Sequence, residues 1–341
     1  MGVDLTSIIP RKEIDFSYLK NKTVAIDAFN SLYQFLSSIR GQDGSYLMDS
    51  KGRITSHLQG LFSRSLNLMG KGIKLIYVFD GEAPKLKFKE REERAGRKIG
   101  AEQKYNEAVD EQNIDDMYKY SKQFLRLNQD MVDESKELLK GLGIPVVQAL
   151  SEAEGQVSYM CKNKIVDFAA SQDYDALLFG APRLIRNLTL SQKRKVRGGK
   201  TVFTFLELIE LHEVLKDLKL NHEQLIVLGI LTGTDFNVGG VKGIGPKKAL
   251  KLVQEHKTIN QFDKMFSELN VDFNWREVYD IFVNLPVEEN IKLKWNNIDE
   301  DKVREVLVED HEFNLERINN LLTKYKEENK NASQKGLGDF F

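Results

Sequence analysis

The sequence predicts an α/β fold in which a mostly parallel, twisted sheet is covered by helices on both faces. Three short apolar runs have the length and composition of strands that are buried on both sides: Thr23–Asp27, Leu75–Asp80 and Val166–Asp173. Helical patterns lie between them, at Asn30–Ile39 and Ser56–Leu68. Strands that alternate with helices are typical of a parallel sheet, and such sheets bind ligands at the carboxyl ends of their strands.

The composition excludes several classes of protein. Of 341 residues 30% are charged, but 50 Lys and Arg balance 51 Asp and Glu, so net charge favours no partner. A single cysteine, Cys161, excludes an intrachain disulfide, and the five histidines show no zinc-ligand spacing. The N-terminal residues are too polar for a signal peptide, and no apolar run approaches the ~18 residues of a membrane span. We therefore expect an intracellular protein that does not bind a membrane.

Acidic side chains follow each of the three predicted strands: Asp27, Asp80 and the pair Asp173 and Asp175. A parallel sheet would bring all four to one edge. An Asp after a single strand is ordinarily a turn residue or a helix N-cap. Three such cases beside further acids favour a common site.

A second acid pair, Glu152 and Glu154, begins the predicted helix Ala153–Lys162. The spacing of Ser151 and Glu154 also fits a capping box, which would leave Glu152 free, so capping and ligand binding are compatible. A further acid, Asp235, ends an apolar helical run in Gly-Thr-Asp.

These carboxylates predict a divalent metal site. The set comprises Asp27, Asp80, Glu152, Glu154, Asp173, Asp175 and Asp235. Hard oxygen ligands without soft ones select Mg²⁺ or Mn²⁺. Seven acids exceed the needs of one Mg²⁺, whereas two ions about 3.5–4 Å apart would hydrolyse a phosphodiester. We expect the Glu152 pair to serve mainly one ion, and the Asp173 pair with Asp235 to serve the other.

Residues 85–135 form a charged, helix-prone insertion between sheet elements. Its first part, Lys85–Lys98, has seven basic residues among fourteen. A solvated helical face is one interpretation. The other is a mobile gate whose Lys87 and Arg94, seven residues apart and therefore on one helix face, meet a phosphate at the acid cluster.

A basic hairpin is predicted at Gln192–Phe205, with its turn at Gly198 and Gly199. A ribbon that touches DNA is one interpretation of its basic residues. A sheet edge that is protected from pairing by charge is another, and the pattern does not decide between them.

A helix–hairpin–helix is predicted at about residues 225–256. Gly243 and Gly245 would let the backbone approach a phosphate, which the N–H groups of the following helix bind. Lys247 and Lys248 follow at that helix start. Such a contact positions a duplex without recognising its sequence, and a plain turn before a helix is the alternative.

The C-terminal segment 327–341 is polar, and we expect it to be disordered. It ends in Gln334 followed by three apolar residues at helical spacing: Leu337, Phe340 and Phe341. A docking peptide explains two terminal Phe residues better than a random apolar end does.

The chain resembles the flap structure-specific endonucleases of archaeal and eukaryotic replication, over essentially its whole length. The motifs that carry the resemblance are Met1-Gly2-Val3, Ile26-Asp27-Ala28, Tyr33-Gln34-Phe35-Leu36, Val78-Phe79-Asp80-Gly81, Glu152-Ala153-Glu154-Gly155, Ser171-Gln172-Asp173-Tyr174-Asp175, Gly233-Thr234-Asp235, Gly243–Ala249 and the C-terminal peptide. The resemblance implies a PIN-like nuclease domain in two parts, 1–84 and 136–326. Residues 85–135 would then be its helical arch and 327–341 a flexible tail.

The resemblance also implies roles for individual residues. All seven acids would bind two Mg²⁺ ions directly or through water, and Lys87 and Arg94 would contact the scissile phosphate. The implied DNA contacts are Tyr33, which stacks on a flipped terminal base, and Gly2, Arg40, Thr55, Arg64, Gly243, Gly245, Lys247 and Lys248. A monovalent cation would sit at the hairpin. Gln334, Leu337, Phe340 and Phe341 would bind the sliding clamp (PCNA).

The implied activity is 5′-flap endonuclease with 5′–3′ exonuclease, in Okazaki fragment maturation and long-patch base excision repair. A repair nuclease of the same fold that cuts bubbles or four-way junctions is the first alternative. A non-catalytic clamp adaptor is the second, although an adaptor does not need seven convergent acids. Eukaryotic relatives carry a basic tail after the clamp peptide, and this chain lacks it. We therefore expect an archaeal, cytoplasmic, nucleoid-associated monomer rather than a nuclear protein.

Overall fold

The computed structural model describes residues 2–41, 45–87, 100, 127–190, 192–195 and 201–338, with the backbone alone at 193–195, 201–202 and 329–338. A seven-stranded sheet forms the centre of this part of the chain. In chain order its strands are β1 (Lys12–Ile14), β2 (Thr23–Asp27), β3 (Lys74–Phe79), β4 (Val146–Gln148), β5 (Phe168–Ala170), β6 (Arg183–Arg186) and β9 (Leu206–Glu210). Across the sheet they run β1-β9-β6-β5-β2-β3-β4.

The five strands from β6 to β4 are parallel, and β9 and β1 add an antiparallel edge. In the centre of the sheet, Ile26 of β2 lies between Tyr77 of β3 and Ala170 of β5. The predicted mostly parallel α/β sheet is therefore confirmed.

The helices cover both faces of this sheet. In chain order they are α1 (Ala28–Ser38), α2 (Ser56–Gly70), α3 (Gln129–Gly141), α4 (Ala153–Lys162), α5 (Asp175–Leu178), α6 (Leu211–Leu218), α7 (His222–Thr232), α8 (Pro246–Glu255), α9 (Ile259–Glu268), α10 (Trp275–Asn284), α11 (Glu300–Arg304) and α12 (Leu315–Gly338). A 3₁₀ turn at Phe16–Leu19 precedes β2, and a π-helical turn at Glu305–Glu309 follows α11.

The strand side chains alternate between two hydrophobic cores. Tyr77 and Phe79 of β3 pack on one face, together with buried residues of α1, α2, α3 and α12. Ile76 and Val78 pack on the other face, with α4, α7 and α9. Both faces of the strand are buried, as its continuous apolar composition predicts.

The predicted insertion 85–135 overlaps the described residues only at Lys85–Lys87, Gly100 and 127–135. At its C-terminal end, helix α3 begins at Gln129 and buries Met131 and Val132. This last part of the predicted insertion therefore packs on the central sheet beside α2.

The strands of the first predicted hairpin, β7 (Lys193–Lys195) and β8 (Thr201–Phe203), pair with each other as a separate antiparallel ribbon. Its predicted turn at Gly198 and Gly199 lies outside the described residues. Helices α7 and α8 pack together, and residues 233–245 connect them. This connection places Gly233, Gly239, Gly240 and Gly243 at positive φ, where a glycine is favoured.

Helix α12 continues to Gly338, whereas the sequence predicted disorder from Glu327. Its first turns are anchored by the buried side chains of Ile318 and Leu322. The following residues are polar but include Glu, Lys, Gln and Ala, which extend a helix that is already nucleated. No helix in the described residues is long and apolar enough to cross a membrane.

Candidate active site

The ends of neighbouring parallel strands bring the predicted acids together. Asp27 is the last residue of β2 and also the N-cap of α1, where its Oδ1 accepts a hydrogen bond of 3.0 Å from the Asn30 amide. Asp80 follows β3, which pairs with β2. The N-cap interpretation of Asp27 is thus correct, and the same carboxylate also belongs to the acid cluster.

Asp80 and Glu152 meet where helix α4 begins. Asp80 Oδ1 accepts a 2.7 Å hydrogen bond from the Ala153 amide, so an acid from another strand caps this helix. Glu152 is the N-cap residue but makes no capping bond. Ser151 donates its hydroxyl to the Glu82 carbonyl and Glu154 accepts from Ser171, so the predicted capping box is wrong.

The pair after β5 is held by the N-terminal segment and by α1. Asp175 is 2% exposed, and its Oδ1 accepts a 2.8 Å hydrogen bond from the Val3 amide. Asp173 Oδ2 accepts a 3.0 Å bond from the side-chain amide of Asn30. A Cβ atom added to Gly2 would lie 2.7 Å from Asp173 Cβ and 2.8 Å from Asp175 Oδ2. Gly2 therefore packs directly against this pair.

Lys87 contacts two other acids of the cluster. Its ammonium forms an ion pair with Glu152 Oε2 and lies 3.6 Å from Asp235 Oδ2. Asp235 follows α7 in a turn that Thr234 and Asn237 close by hydrogen bonds. The side chain of Lys87 is 14% exposed.

The acids raise one another's pKa values. Burial raises the pKa of Asp27 well above its usual range, and the charges of Asp80 and Asp173 raise it further. Burial likewise raises the pKa of Glu154, together with the charges of Asp175, Asp173 and Asp27. For Asp175, burial and the charges of Asp173 and Asp235 raise the pKa to about 7.

Lys87 opposes this repulsion on its own side. Burial raises the pKa of Glu152, the Lys87 ammonium lowers it, and Asp80 and Asp235 raise it again. Burial would lower the pKa of Lys87, but the charges of Glu152 and Asp235 outweigh it, so the pKa lies above its ordinary value. All seven predicted acids therefore belong to one electrostatically coupled cluster.

The donor chemistry of this cluster fits Mg²⁺ or Mn²⁺, since all donors are oxygens and their repulsion falls when a cation binds. In the described conformation, no three Asp, Glu, His or Cys side chains converge closely enough to hold a metal ion by themselves. Mg²⁺ usually keeps several of its waters, so coordination partly through water suits this spacing.

Sequence reasoning missed the groups that orient the acids. These are the amides of Val3 and Ala153, the side chain of Asn30 and the hydroxyl of Ser171. Because Asn30 lies three residues after the N-cap Asp27, its position predicts only the hydrogen bond from its backbone amide to Asp27. Its side-chain bond to Asp173 joins residues 143 apart and has no local sequence signal.

Of the residues predicted near a DNA junction, Gly2 packs against Asp173 and Asp175, and the others lie on or beside α1 and α2. Tyr33 on α1 is 38% exposed, and Thr55 is the buried N-cap residue of α2. The Arg40 guanidinium stacks 3.7 Å from the centre of the Tyr46 ring, and its nitrogens are buried without a hydrogen-bond partner in the described structure. Arg64 on α2 is partly buried, which lowers its pKa.

The predicted helix–hairpin–helix residues are exposed: Gly243, Gly245, Lys247 and Lys248. Gly245 is the N-cap of α8 and Pro246 is its first residue, so no side chain blocks the helix amides.

The predicted gate residue Arg94 and the terminal Phe340 and Phe341 lie outside the described residues. Gln334 and Leu337 belong to α12 by their backbone.

Comparison with known families matches the segments that carry the acids. The XPG N-terminal domain matches residues 1–101, and the XPG I-region matches residues 143–235. The flap endonuclease 1 of Pyrococcus furiosus is 49% identical over 343 residues, which cover 100% of this chain and 99% of the relative. The chain belongs to the flap endonuclease family. The family member of Hyperthermus butylicus is 48% identical over 96% of this chain and 94% of its own.

Two solved structures share this fold. Flap endonuclease-1 from Methanococcus jannaschii superposes with a TM-score of 0.77 at 41% identity, over 97% of this chain and 100% of that chain. The catalytic core of Rad2 in complex with a DNA substrate has a TM-score of 0.66 at 24% identity, over 92% of this chain and 96% of that one. At this lower identity the Rad2 match supports the fold alone.

Proposed function

We propose that the protein is a structure-specific 5′-flap DNA endonuclease with 5′–3′ exonuclease activity. The observation that carries the proposal is the coupled cluster of seven carboxylates, which five chain segments deliver to the carboxyl edge of a parallel sheet. Family membership over the whole chain supports flapped DNA as the substrate. Okazaki fragment maturation and long-patch base excision repair are the processes that this activity would serve.

The seven acids would hold two Mg²⁺ ions, with Mn²⁺ as an alternative. When bound, these ions activate water as the nucleophile and stabilise the leaving oxygen of a phosphodiester. Glu152 and Glu154 would serve one ion, and Asp173, Asp175 and Asp235 the other.

The chain itself supplies orientation. The Val3 amide holds Asp175, the Asn30 side chain holds Asp173, and the Ser171 hydroxyl holds Glu154. Such outer contacts fix the directions of ligating carboxylates and are worth ~10–100-fold in metal affinity or activity.

Basic and aromatic side chains would bind the substrate. Lys87 and Arg94 would stabilise the charge that develops on the scissile phosphate. Tyr33, which α1 leaves partly exposed, would stack on the flipped terminal base. The open amides at Gly243 and Gly245, with Lys247 and Lys248, would hold the duplex together with a monovalent cation.

The remaining assignments concern partners and location. Gln334, Leu337, Phe340 and Phe341 would bind the sliding clamp (PCNA), and the enzyme would act as a monomer in the cytoplasm. The archaeal relatives support this location.

Replacement of Asp175 by Asn tests the proposal. Asn keeps the acceptor for the Val3 amide but removes the charge, so we expect cleavage of a labelled double flap to be abolished while flap binding remains. Asp272→Asn, at an exposed acid outside the cluster, is the matched control and should cleave normally. Normal cleavage by Asp175→Asn would refute the proposed site.

The substrate is tested with a double flap, a bubble and a four-way junction of the same sequence. We expect the double flap to be cut fastest, at one nucleotide beyond the junction. A bubble or four-way junction cut faster would favour a repair nuclease of the same fold, and DNA binding without metal-dependent cleavage would favour an adaptor.

A further inference from the structure

Lys87 occupies an unusual place for a residue that is expected to meet DNA. It lies in a short turn in which its amide donates a 2.9 Å hydrogen bond to the Pro84 carbonyl. Its ammonium does not extend to solvent. It pairs with Glu152 Oε2, lies 3.6 Å from Asp235 Oδ2 and 5.9 Å from the centre of the Phe236 ring.

This placement makes Lys87 a counter-charge of the acid cluster. Its charge lowers the pKa of Asp27, Glu152 and Asp175, each of which burial and neighbouring acids raise. A Lys ammonium is a compact point charge on a flexible stem, so it can enter a carboxylate cluster and leave it again.

Glu152 and Asp235 are also predicted metal-binding acids, and they come from the two halves of the predicted pair of metal sites. The Lys87 ammonium already lies against Glu152 Oε2 and 3.6 Å from Asp235 Oδ2, so it would repel a divalent ion that binds directly at either oxygen. The two cations would therefore compete for these oxygens.

We propose that Lys87 is an exchangeable counter-ion that competes with a divalent metal ion for Glu152 and Asp235 in the DNA-free protein. The inference rests on the proposed metal-dependent nuclease. Contact of Lys87 with a substrate phosphate would remove the competitor, so DNA and metal would each strengthen the binding of the other, as linkage requires.

The test is Mn²⁺ binding to the full chain without DNA, measured by electron paramagnetic resonance of the free ion and by calorimetry. Lys87→Met removes the competing charge and keeps much of the side-chain length. We expect it to bind Mn²⁺ roughly fivefold or more tightly than the unmodified chain, in the usual range of coupling between two sites. Lys87→Arg keeps a charge and should tighten binding much less.

Lys85→Met is the matched control, because it removes the same charge from an exposed side chain two residues away. If Lys85→Met and Lys87→Met increased the affinity for Mn²⁺ equally, the loss of one positive charge anywhere nearby would explain the increase, and the proposal would be overturned. Unchanged or weaker Mn²⁺ binding by a folded Lys87→Met would also overturn it, and thermal unfolding reports whether that variant is folded. If the unmodified chain binds no Mn²⁺ and cuts no flap, the proposed function itself fails. If it does both, only the role of Lys87 is in question.

Discussion

Gly2 is the residue at which the N-terminal segment comes closest to the acids. Its Cα has no room for a substituent, because a Cβ would lie under 3 Å from atoms of both Asp173 and Asp175. The next residue, Val3, donates its amide to Asp175. A side chain at position 2 would therefore displace the acids or break this bond.

We expect Gly2→Ala to lower cleavage roughly tenfold or more while the chain stays folded, since overpacking costs ~1–3 kcal/mol. Single-turnover cleavage of a double flap measures the loss. Asp4→Ala, at an exposed side chain that contacts Thr6, is the control and should be nearly neutral. Full activity in Gly2→Ala would mean that the N-terminal segment does not support the acids.

At this scale the sequence predicts the acids themselves but not what orients them. An Asp at the end of an apolar run is visible in a short window of sequence. The bonds of Val3 to Asp175 and of Asn30 to Asp173 join residues 172 and 143 apart, so they depend on how the strands are ordered. The contact between Arg40 and Tyr46 was also not predictable. It depends on an isolated antiparallel β-bridge between these two residues, which no hydrophobic periodicity indicates.

Helices α2 and α3 meet at a buried cluster of histidines and carboxylates. Glu134 of α3 lies 3.5 Å from His57 Nε2 on α2 and 3.2 Å from His311 Nε2. His311 Nδ1 also lies 3.4 Å from Asp49 Oδ2, which pairs with Arg53. The cluster thus joins two helices to the turn before α12.

These contacts make the stability of the fold depend on pH. Burial lowers the pKa of His57 from 6.5, more than the nearby Glu134 carboxylate raises it. Burial raises the pKa of Glu134, but the close contacts with His311 and His57 outweigh burial and lower it to about 2. Both groups bind fewer protons in the folded state, so both contributions are lost as pH falls. The contribution of His57 to the free energy of unfolding is lost as the pH falls below about 6.5. The contribution of Glu134 is lost as the pH falls from 4.5 to about 2.

We expect Glu134→Gln to lower the free energy of unfolding at pH 7 by about 1–3 kcal/mol, because the buried rings of His57 and His311 lose the carboxylate charge beside them. The deficit should shrink as pH falls from 4.5 towards 2. Urea unfolding at pH 7, 5 and 3 measures both effects. Glu137→Gln, at a half-exposed acid on the same helix that pairs with Lys302, is the control. A deficit that stays constant with pH would contradict this account.

At the scale of elements, long apolar or strongly periodic segments were predictable and short ones were not. Strand β2 and helix α4 have the predicted bounds. Strand β1 has only three residues, and it is held by pairing with β9, about two hundred residues later. The capping box failed for a related reason: a cap supplied by Asp80 from another strand replaced the local one.

The whole chain combines a cleavage site with a predicted docking peptide. We expect replacement of Phe340 and Phe341 by Ala to remove stimulation by the sliding clamp and leave clamp-free cleavage unchanged. Flap cleavage with and without the clamp measures this. Loss of clamp-free cleavage would mean that the end of the chain packs on the nuclease.

The spread of the acids along the chain has a consequence for synthesis in the cell. The cluster collects residues from Asp27 to Asp235, and Val3 reaches Asp175 across the core. During translation the nascent chain lacks its last acid until α7 has left the ribosome. Products of interrupted translation that end before Asp235 therefore carry an incomplete acid cluster.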